Sequence, residues 1–251
     1  MKNKKCIIIQ ARTDSRRLPN KILMDIEGKP MLWHVINRIK KMDVDEIIIA
    51  TTTRNIDDKI IEITESFGLK SFRGKTDDVL DRFYQASKKY NANIIIRITA
   101  DCPLIDSNES SKVLEKFIAG KYDYASNDSE TYPSGLDTEC FTFDVLENAW
   151  NESKLKSERE HVTPYIWKNP KKNKILIVNS NTKMKLDDLK WSVDNKEDFE
   201  FVEKIYSKLY KNNNDFSMND VLVLLEKEPE LKNINSDFIK NEGYLHSIKN
   251  D

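Results

Sequence analysis

Cys6-Ile7-Ile8-Ile9-Gln10-Ala11-Arg12-Thr13-Asp14-Ser15-Arg16-Arg17-Leu18-Pro19-Asn20-Lys21 is the stretch that decides how the rest of the chain is read. Cys6–Gln10 is short, apolar and β-branched, the pattern of a strand buried on both faces. It runs without a glycine into a loop holding Arg12, Arg16, Arg17 and Lys21. Outward from it the pattern alternates. Pro30–Lys41 is predicted helical, with Leu32, Val35, Ile36 and Ile39 on one face. Glu46–Ala50 is a second strand, Asp57–Phe67 a helix stopped by Gly68, and Lys70–Arg73 a short strand. Asp77–Tyr90 is a further helix and Asn93–Ile98 a third apolar strand. Strand-helix alternation of this kind implies an α/β fold, a mostly parallel central sheet with helices on both faces, in three layers. Ligands of such sheets bind beyond the carboxyl ends of the strands. That selects Ala11–Lys21, Thr51–Arg54 and Thr99–Asp106.

Past Asp106 the alternation loosens. Ser110–Ala119 reads as a helix, and Tyr122–Gly135 as polar and turn-rich. Asp137–Phe143 is a candidate strand, and Asp144–Asn151 a helix. Lys174–Ile177 and Lys190–Val193 are candidate strands. Asp198–Tyr210 and Met218–Glu226 are helices. The tail from Asn233 is rich in Asn and Lys, with little to pack. No internal repeat is evident.

The chain has 251 residues and a net charge of −1, so no global field recruits nucleic acid or an anionic membrane. Phosphate binding must therefore come from a local cluster. Cys6, Cys102 and Cys140 lack zinc-site spacing, and their odd number argues against a disulfide framework. The apolar run after the N-terminal lysines is too short for a membrane span or a signal peptide. A cytoplasmic enzyme is the expectation.

Four segments carry chemistry. The first is the basic loop. A triphosphate carries about four negative charges, and arginine forks with a lysine point charge match it. Thr13, Ser15 and backbone N–H groups add neutral donors. A solvated basic loop is the competing reading. The loop is neither a Walker loop nor a dinucleotide fingerprint. The second is Arg97-Ile98-Thr99-Ala100-Asp101-Cys102-Pro103-Leu104-Ile105-Asp106, where a strand runs into an acid. Asp101 suits a hard cation such as Mg²⁺, or else caps a turn. The third is Trp191-Ser192-Val193-Asp194, where Asp194 either caps the next helix or shares a metal with Asp101. The fourth joins Gly135–Phe141 to Glu158–Thr163, whose polar groups are candidates for an acceptor. His161 there is an orienting group or a structural one.

These segments, with Glu27-Gly28-Lys29-Pro30-Met31, resemble the cytidylyltransferase family. That family includes the CMP-ketodeoxyoctonate and CMP-acylneuraminate synthetases. The branch named for spore coat polysaccharide biosynthesis proteins is the most similar, and the resemblance covers roughly Lys5 to Tyr210. It implies a Rossmann-like sandwich of the sugar-nucleotidyltransferase type. One domain would span 1–230, with an acceptor and dimerisation insertion near 120–180, and a polar tail would follow at 231–251. It implies transfer of CMP from CTP to a sugar acid with release of pyrophosphate, for surface polysaccharide or glycan precursors. By position, Arg12, Ser15 and Lys21 would hold the triphosphate. Gln10 and Ala11 would lie near the base or ribose. Thr52, Arg82 and Thr99 would line the nucleotide cleft. Asp101 and Asp194 would hold Mg²⁺, and Asp137, Glu139 and His161 would meet the acceptor. Arg12, Lys21 and Asp101 would carry catalysis. A homodimer is expected, with Tyr122–Phe143 in its interface.

The sequence departs from better-studied branches at Ala100-Asp101-Cys102-Pro103, where those often carry Gly-Asp-x-Pro. The acceptor therefore stays open. So do a guanylyl- or uridylyltransferase, a glycosyltransferase, and a non-catalytic protein on the same fold. The first of these usually opens with a glycine-rich loop, which is missing before Glu27. A glycosyltransferase usually has Asp-x-Asp, and the match Asp43-Val44-Asp45 lies before a strand.

Overall fold

The computed structural model describes residues 3–182 and 184–251. β1 (Lys5–Gln10) is followed by a small antiparallel hairpin, β2 (Asp25–Ile26) and β3 (Lys29–Pro30). Glu27 and Gly28 turn it with φ 49° and 79°, the left-handed pair of a tight two-residue turn. Then come α1 (Met31–Ile39), β4 (Glu46–Thr52), α2 (Asp58–Ser66), β5 (Lys70–Gly74), α3 (Val79–Lys89) and β6 (Ile94–Thr99). α4 (Ser107–Gly120), β7 (Tyr124–Ser126), β8 (Glu139–Thr142) and α5 (Phe143–Glu152) follow. The chain ends through α6 (Lys156–His161), α7 (Pro164–Trp167), β9 (Ile175–Ile177), α8 (Lys196–Leu209), α9 (Met218–Lys227) and α10 (Glu242–Ile248).

The main sheet has the order β5-β4-β1-β6-β8-β7-β9. β5, β4, β1 and β6 are parallel, and β8 runs antiparallel to both β6 and β7. The expected three-layer, mostly parallel sandwich is what the chain adopts. Alternation along β1 builds two cores. Ile7 and Ile9 point into the layer of α1, α2, α4, α8 and α9. Cys6 and Ile8 point into the layer of α3 and α5. Each fully buried isoleucine contributes about 1.5–3 kcal/mol relative to exposure, so both faces hold the sheet.

Several expectations needed correction. The turn-rich stretch Tyr122–Gly135 contains β7, with Tyr124, Ala125 and Ser126 buried. Tyr132, Leu136, Cys140 and Phe141 are buried too, so much of the stretch assigned to a dimer interface packs inside its own subunit. Lys190–Val193 is not a strand; it makes one isolated bridge, Ser134 with Lys190. The tail does pack: Asn235 and Ser247 are buried, and α10 lies against α6. α6 and α7 had no clear periodicity in sequence because each spans under two turns.

Candidate active site at the carboxyl edge of the sheet

Gln10, Ala50 and Thr99 sit level in adjacent strands, so the chains leaving β1, β4 and β6 emerge side by side. Ala11 N donates to Ala50 O at 3.1 Å, and Ala100 N donates to Gln10 O at 3.1 Å. The basic loop is then pinned from below. Asp57, 1% exposed, accepts from Thr13 N at 2.8 Å and from Thr13 Oγ1 at 2.7 Å, and also from Thr52 Oγ1. Asp57 was read only as a helix start. Its anchoring of the basic loop is not visible in sequence because its partner Thr13 lies 44 residues away.

Lys21 is the centre of the edge. Its ammonium is buried and donates to Asp101 Oδ2 at 2.9 Å, Asp194 Oδ1 at 3.2 Å and Val193 O at 2.6 Å. Asp101 and Asp194 therefore share one cation. Val193 N donating to Asp101 O at 2.8 Å fixes the two segments together. Gly135 makes room for this. Its φ is 106°, and a Cβ there would lie 2.3 Å from Ser192 N. Trp191 N donates to Ser134 O at 2.6 Å across that contact. The reading of Asp194 as the cap of the next helix does not hold. Asn195 caps α8 by accepting from Asp198 N, and Asp106 caps α4.

Burial alone would raise the Asp101 pKa. The charge and hydrogen bond of Lys21 outweigh it and bring the carboxyl down to about 2. Burial would likewise lower Lys21, and Asp101 and Asp194 together raise it. Two further cations, neither assigned in sequence, complete the cluster. Arg17 Nη2 lies 2.9 Å from Asp194 Oδ1, and Lys190 Nζ lies 3.2 Å from Asp194 Oδ2 and 2.6 Å from Asp198. Arg17 stood in the quoted loop. Lys190 stood four residues before Asp194, and neither had a spacing that marked it.

The other predicted residues are distributed around this edge. Arg12 is exposed, and its charge acts on Arg82. Arg82 is 2% exposed; its Nη1 donates to Lys75 O at 3.1 Å, and its Nε has no partner among the described residues. Burial first, then Arg12, lowers it to about 10. Ser15 Oγ accepts from Leu18 N at 3.4 Å, and Thr99 Oγ1 lies 3.0 Å from Cys102 Sγ. Gln10 Oε1 accepts from Arg97 Nε at 3.1 Å, and Arg97 pairs with Glu139. Glu139 also accepts from Tyr124 and Thr163 hydroxyls, each at 2.6 Å, so both of its oxygens are hydrogen-bonded. Among the described residues Asp137 accepts from Gly135 N alone, at 2.8 Å, and burial pushes it up to about 6. His161 Nε2 contacts Ser247 Oγ at 3.0 Å, and that hydroxyl donates to Glu160 at 2.8 Å. The hydroxyl proton is thus committed, so His161 Nε2 is the donor. Burial lowers the His161 pKa. Asp43 and Asp45 meet Lys5 at the opposite, amino-terminal end of β1.

The sheet order and this edge define a nucleotidyltransferase-type α/β protein. The chain belongs to the cytidylyltransferase family, whose model matches residues 6–242. It is 39% identical over 240 residues to an uncharacterised protein of Methanocaldococcus jannaschii, covering 94% of this chain and 96% of that one. It is 28% identical over 233 residues to the spore coat polysaccharide biosynthesis protein SpsF of Bacillus subtilis, covering 89% and 94%. The structure of a cytidylyltransferase from Leptospira borgpetersenii superimposes with a TM-score of 0.87 at 33% identity, covering 94% of this chain and 98% of that one. Among the described residues no helix is long and apolar enough to cross a membrane.

Proposed function

We infer that the chain transfers the CMP unit of CTP to an oxygen of a sugar acid or sugar-like acceptor, releasing pyrophosphate, in the synthesis of surface polysaccharide or glycan precursors. Family membership supports the nucleotidyl chemistry, and the relative in spore coat polysaccharide synthesis supports the pathway. One observation carries the site: the Lys21 ammonium lies between the Asp101 and Asp194 carboxylates. A position between two carboxylates that already takes a cation fits Mg²⁺, a hard ion that binds proteins through one or two carboxylates. Asp101 and Asp194 would hold it. Bound there, it would supply charge neutralisation at the phosphates and a lowered hydroxyl pKa.

Lys21 would then turn from the acids to the triphosphate, joining Arg12 and Ser15. The new bond forms between the acceptor oxygen and the α-phosphorus. The bond to the oxygen bridging the α- and β-phosphates breaks in line. Arg12 and Lys21 neutralise the charge that develops on the departing pyrophosphate. The chain's main contribution is positioning, as in other phosphoryl transfers. Gln10, Ala11, Thr52, Arg82 and Thr99 would line the nucleotide side. Asp137, Glu139 and His161 would line the acceptor side. Asp137 is ionised above about pH 6 and would then accept a hydrogen bond from an acceptor hydroxyl. A cytoplasmic homodimer belongs to the same reading.

A melting-temperature screen with CTP, UTP, GTP and ATP, with and without Mg²⁺, tests the nucleotide, because a ligand that binds only the folded state raises its melting point. CTP alone should shift it, and more with Mg²⁺. Asp101→Asn should lower pyrophosphate release from CTP and a sugar acid by about a hundredfold or more while leaving the melting transition cooperative. An Asp101→Asn protein with full, magnesium-dependent turnover would remove Asp101 from the site.

A further inference from the structure

The segment 235–251 runs from Lys190 and Asp198, beside the candidate site, past Arg17 to α6 like a strap. It is clamped at both ends. Asn235 Nδ2 donates to Lys190 O at 2.8 Å and to Asp198 Oδ1 at 3.0 Å. At the far end, Ser157 N and Oγ donate to the Asp251 carboxylate at 2.7 and 2.6 Å, and Ser247 bridges Glu160 and His161. Tyr244 packs edge-on against His161 and Trp167. Between the buried residues Asn235 and Ser247 no residue is buried, and Ile239 is 63% exposed.

Two ion pairs hold this middle section. Lys240 meets Asp128 at 3.0 Å, and Glu242 meets Arg17. Arg17 is the residue that also touches Asp194. Asp237, Phe238, Ile239 and Glu242 of the strap, with Arg17, Lys190 and Asn195, line a cleft of about 440 Å³ beside that acid, so the cleft carries two cations and two strap carboxylates. Arg17 thus spends its fork on two carboxylates, one belonging to the site and one brought from 225 residues away. A guanidinium fork recognises phosphate and carboxylate through the same geometry. Both side chains are substantially exposed, 40% for Arg17 and 52% for Glu242. Pairs of that kind are weak and exchange readily with a competing anion.

We propose that the Glu242 carboxylate is a resting occupant of Arg17, so that the segment carrying it competes with incoming anions for that guanidinium. The strap is then a latch that an incoming phosphate group displaces from Arg17. The ligand class is an anionic phosphate, as carried by a nucleoside triphosphate or by pyrophosphate. The inference rests on the nucleotidyltransferase reading for the identity of that phosphate, though not for the Arg17–Glu242 competition itself. Because Asn235 and Ser247 stay clamped, opening moves only the section between them.

Calorimetric titration with Mg²⁺–pyrophosphate, and separately with Mg²⁺–CTP, tests it on the full chain and on Glu242→Gln, Arg17→Gln and the double variant. Glu242→Gln should bind pyrophosphate about three- to tenfold more tightly, and Arg17→Gln about tenfold more weakly. The double variant should match Arg17→Gln, since the latch has nothing left to compete for. Amide hydrogen exchange in residues 237–248 should speed up when pyrophosphate binds the natural chain. Equal affinity in Glu242→Gln and the natural chain overturns the latch, as does unchanged exchange, or pyrophosphate binding to none of the proteins. CTP binding with no effect of Glu242→Gln removes the latch and keeps the proposed function. Tighter pyrophosphate binding in Glu242→Gln without any CTP binding keeps the latch and removes the function.

Discussion

At the scale of single residues, the site is a set of carboxyl groups pushed in opposite directions. Asp101 is held near 2 because Lys21 more than offsets its burial. A depressed acid stabilises the fold above its unfolded pKa near 3.8, and that contribution is lost as pH falls through about 2. Asp137 goes the other way. Burial raises it to about 6, and among the described residues its carboxylate accepts from the Gly135 backbone N–H alone. A raised acid favours the folded state below pH 3.8 relative to higher pH, and stability falls as pH climbs from there through 6. Asp137→Asn removes that titration and can still accept from Gly135. It should therefore be more stable than the natural chain at pH 7.5, by about 1–3 kcal/mol. The difference should vanish near pH 3.5. Urea unfolding at the two pH values measures it, and a constant difference would mean that Asp137 does not titrate across this range. Asp101 was legible because an acid stands just past the apolar strand β6, while Lys21 in the basic loop and Asp194 after Trp191-Ser192-Val193 were picked out by the family resemblance. Arg17 and Lys190 were not. Their importance comes from touching Asp194, and sequence does not carry that distance.

At the scale of elements, the parallel half was readable because Ile-rich runs buried on both faces alternate with amphipathic helices. The second half was not. β7 is only three residues long, and its Tyr124 and Ser126 look like turn residues until β8 and β9 flank them. The Lys190–Val193 segment looked like a strand because Trp191 and Val193 alternate inward, and both are indeed buried. Yet it gets its backbone partners from Ser134 and Asp101 rather than from a ladder. That loop-to-loop contact is what brings Asp194 to Asp101, and it depends on the close approach at Gly135. A methyl group there meets the backbone of Trp191 and Ser192 at a φ that side chains rarely adopt. Gly135→Ala should lower stability by about 2–4 kcal/mol. It should also cut pyrophosphate release more than Gly28→Ala does, because Gly28 has open space around its missing Cβ. Denaturation and turnover of the two variants side by side check this. Equal losses would mean that the left-handed backbone alone matters and that the approach to Ser192 does not.

At the scale of the whole molecule, the chain is closed by its tail. A run rich in Asn and Lys has too little apolar surface to advertise packing, so sequence alone leaves 231–251 as a polar appendage. The contacts are made instead by single polar groups placed at long range. Asn235 satisfies a backbone carbonyl and a buried carboxylate, and Asp251 satisfies the start of α6. Asp198 is 1% exposed and already serves Lys190 and the entry to α8, so the amide of Asn235 completes its shell. Ending the chain after Ile234 would leave Asp198 and the Lys190 carbonyl short of a donor at the base of the site. An unsatisfied buried acceptor costs about 1–3 kcal/mol. The truncated chain should therefore unfold at lower urea concentration, with a loss of about 2–4 kcal/mol once the Ser157 and Glu160 contacts are included. Asn235→Ala alone should reproduce about half of that loss. If truncation leaves the urea midpoint where it was, the tail is an appendage after all, and Asp198 must draw its missing donor from water.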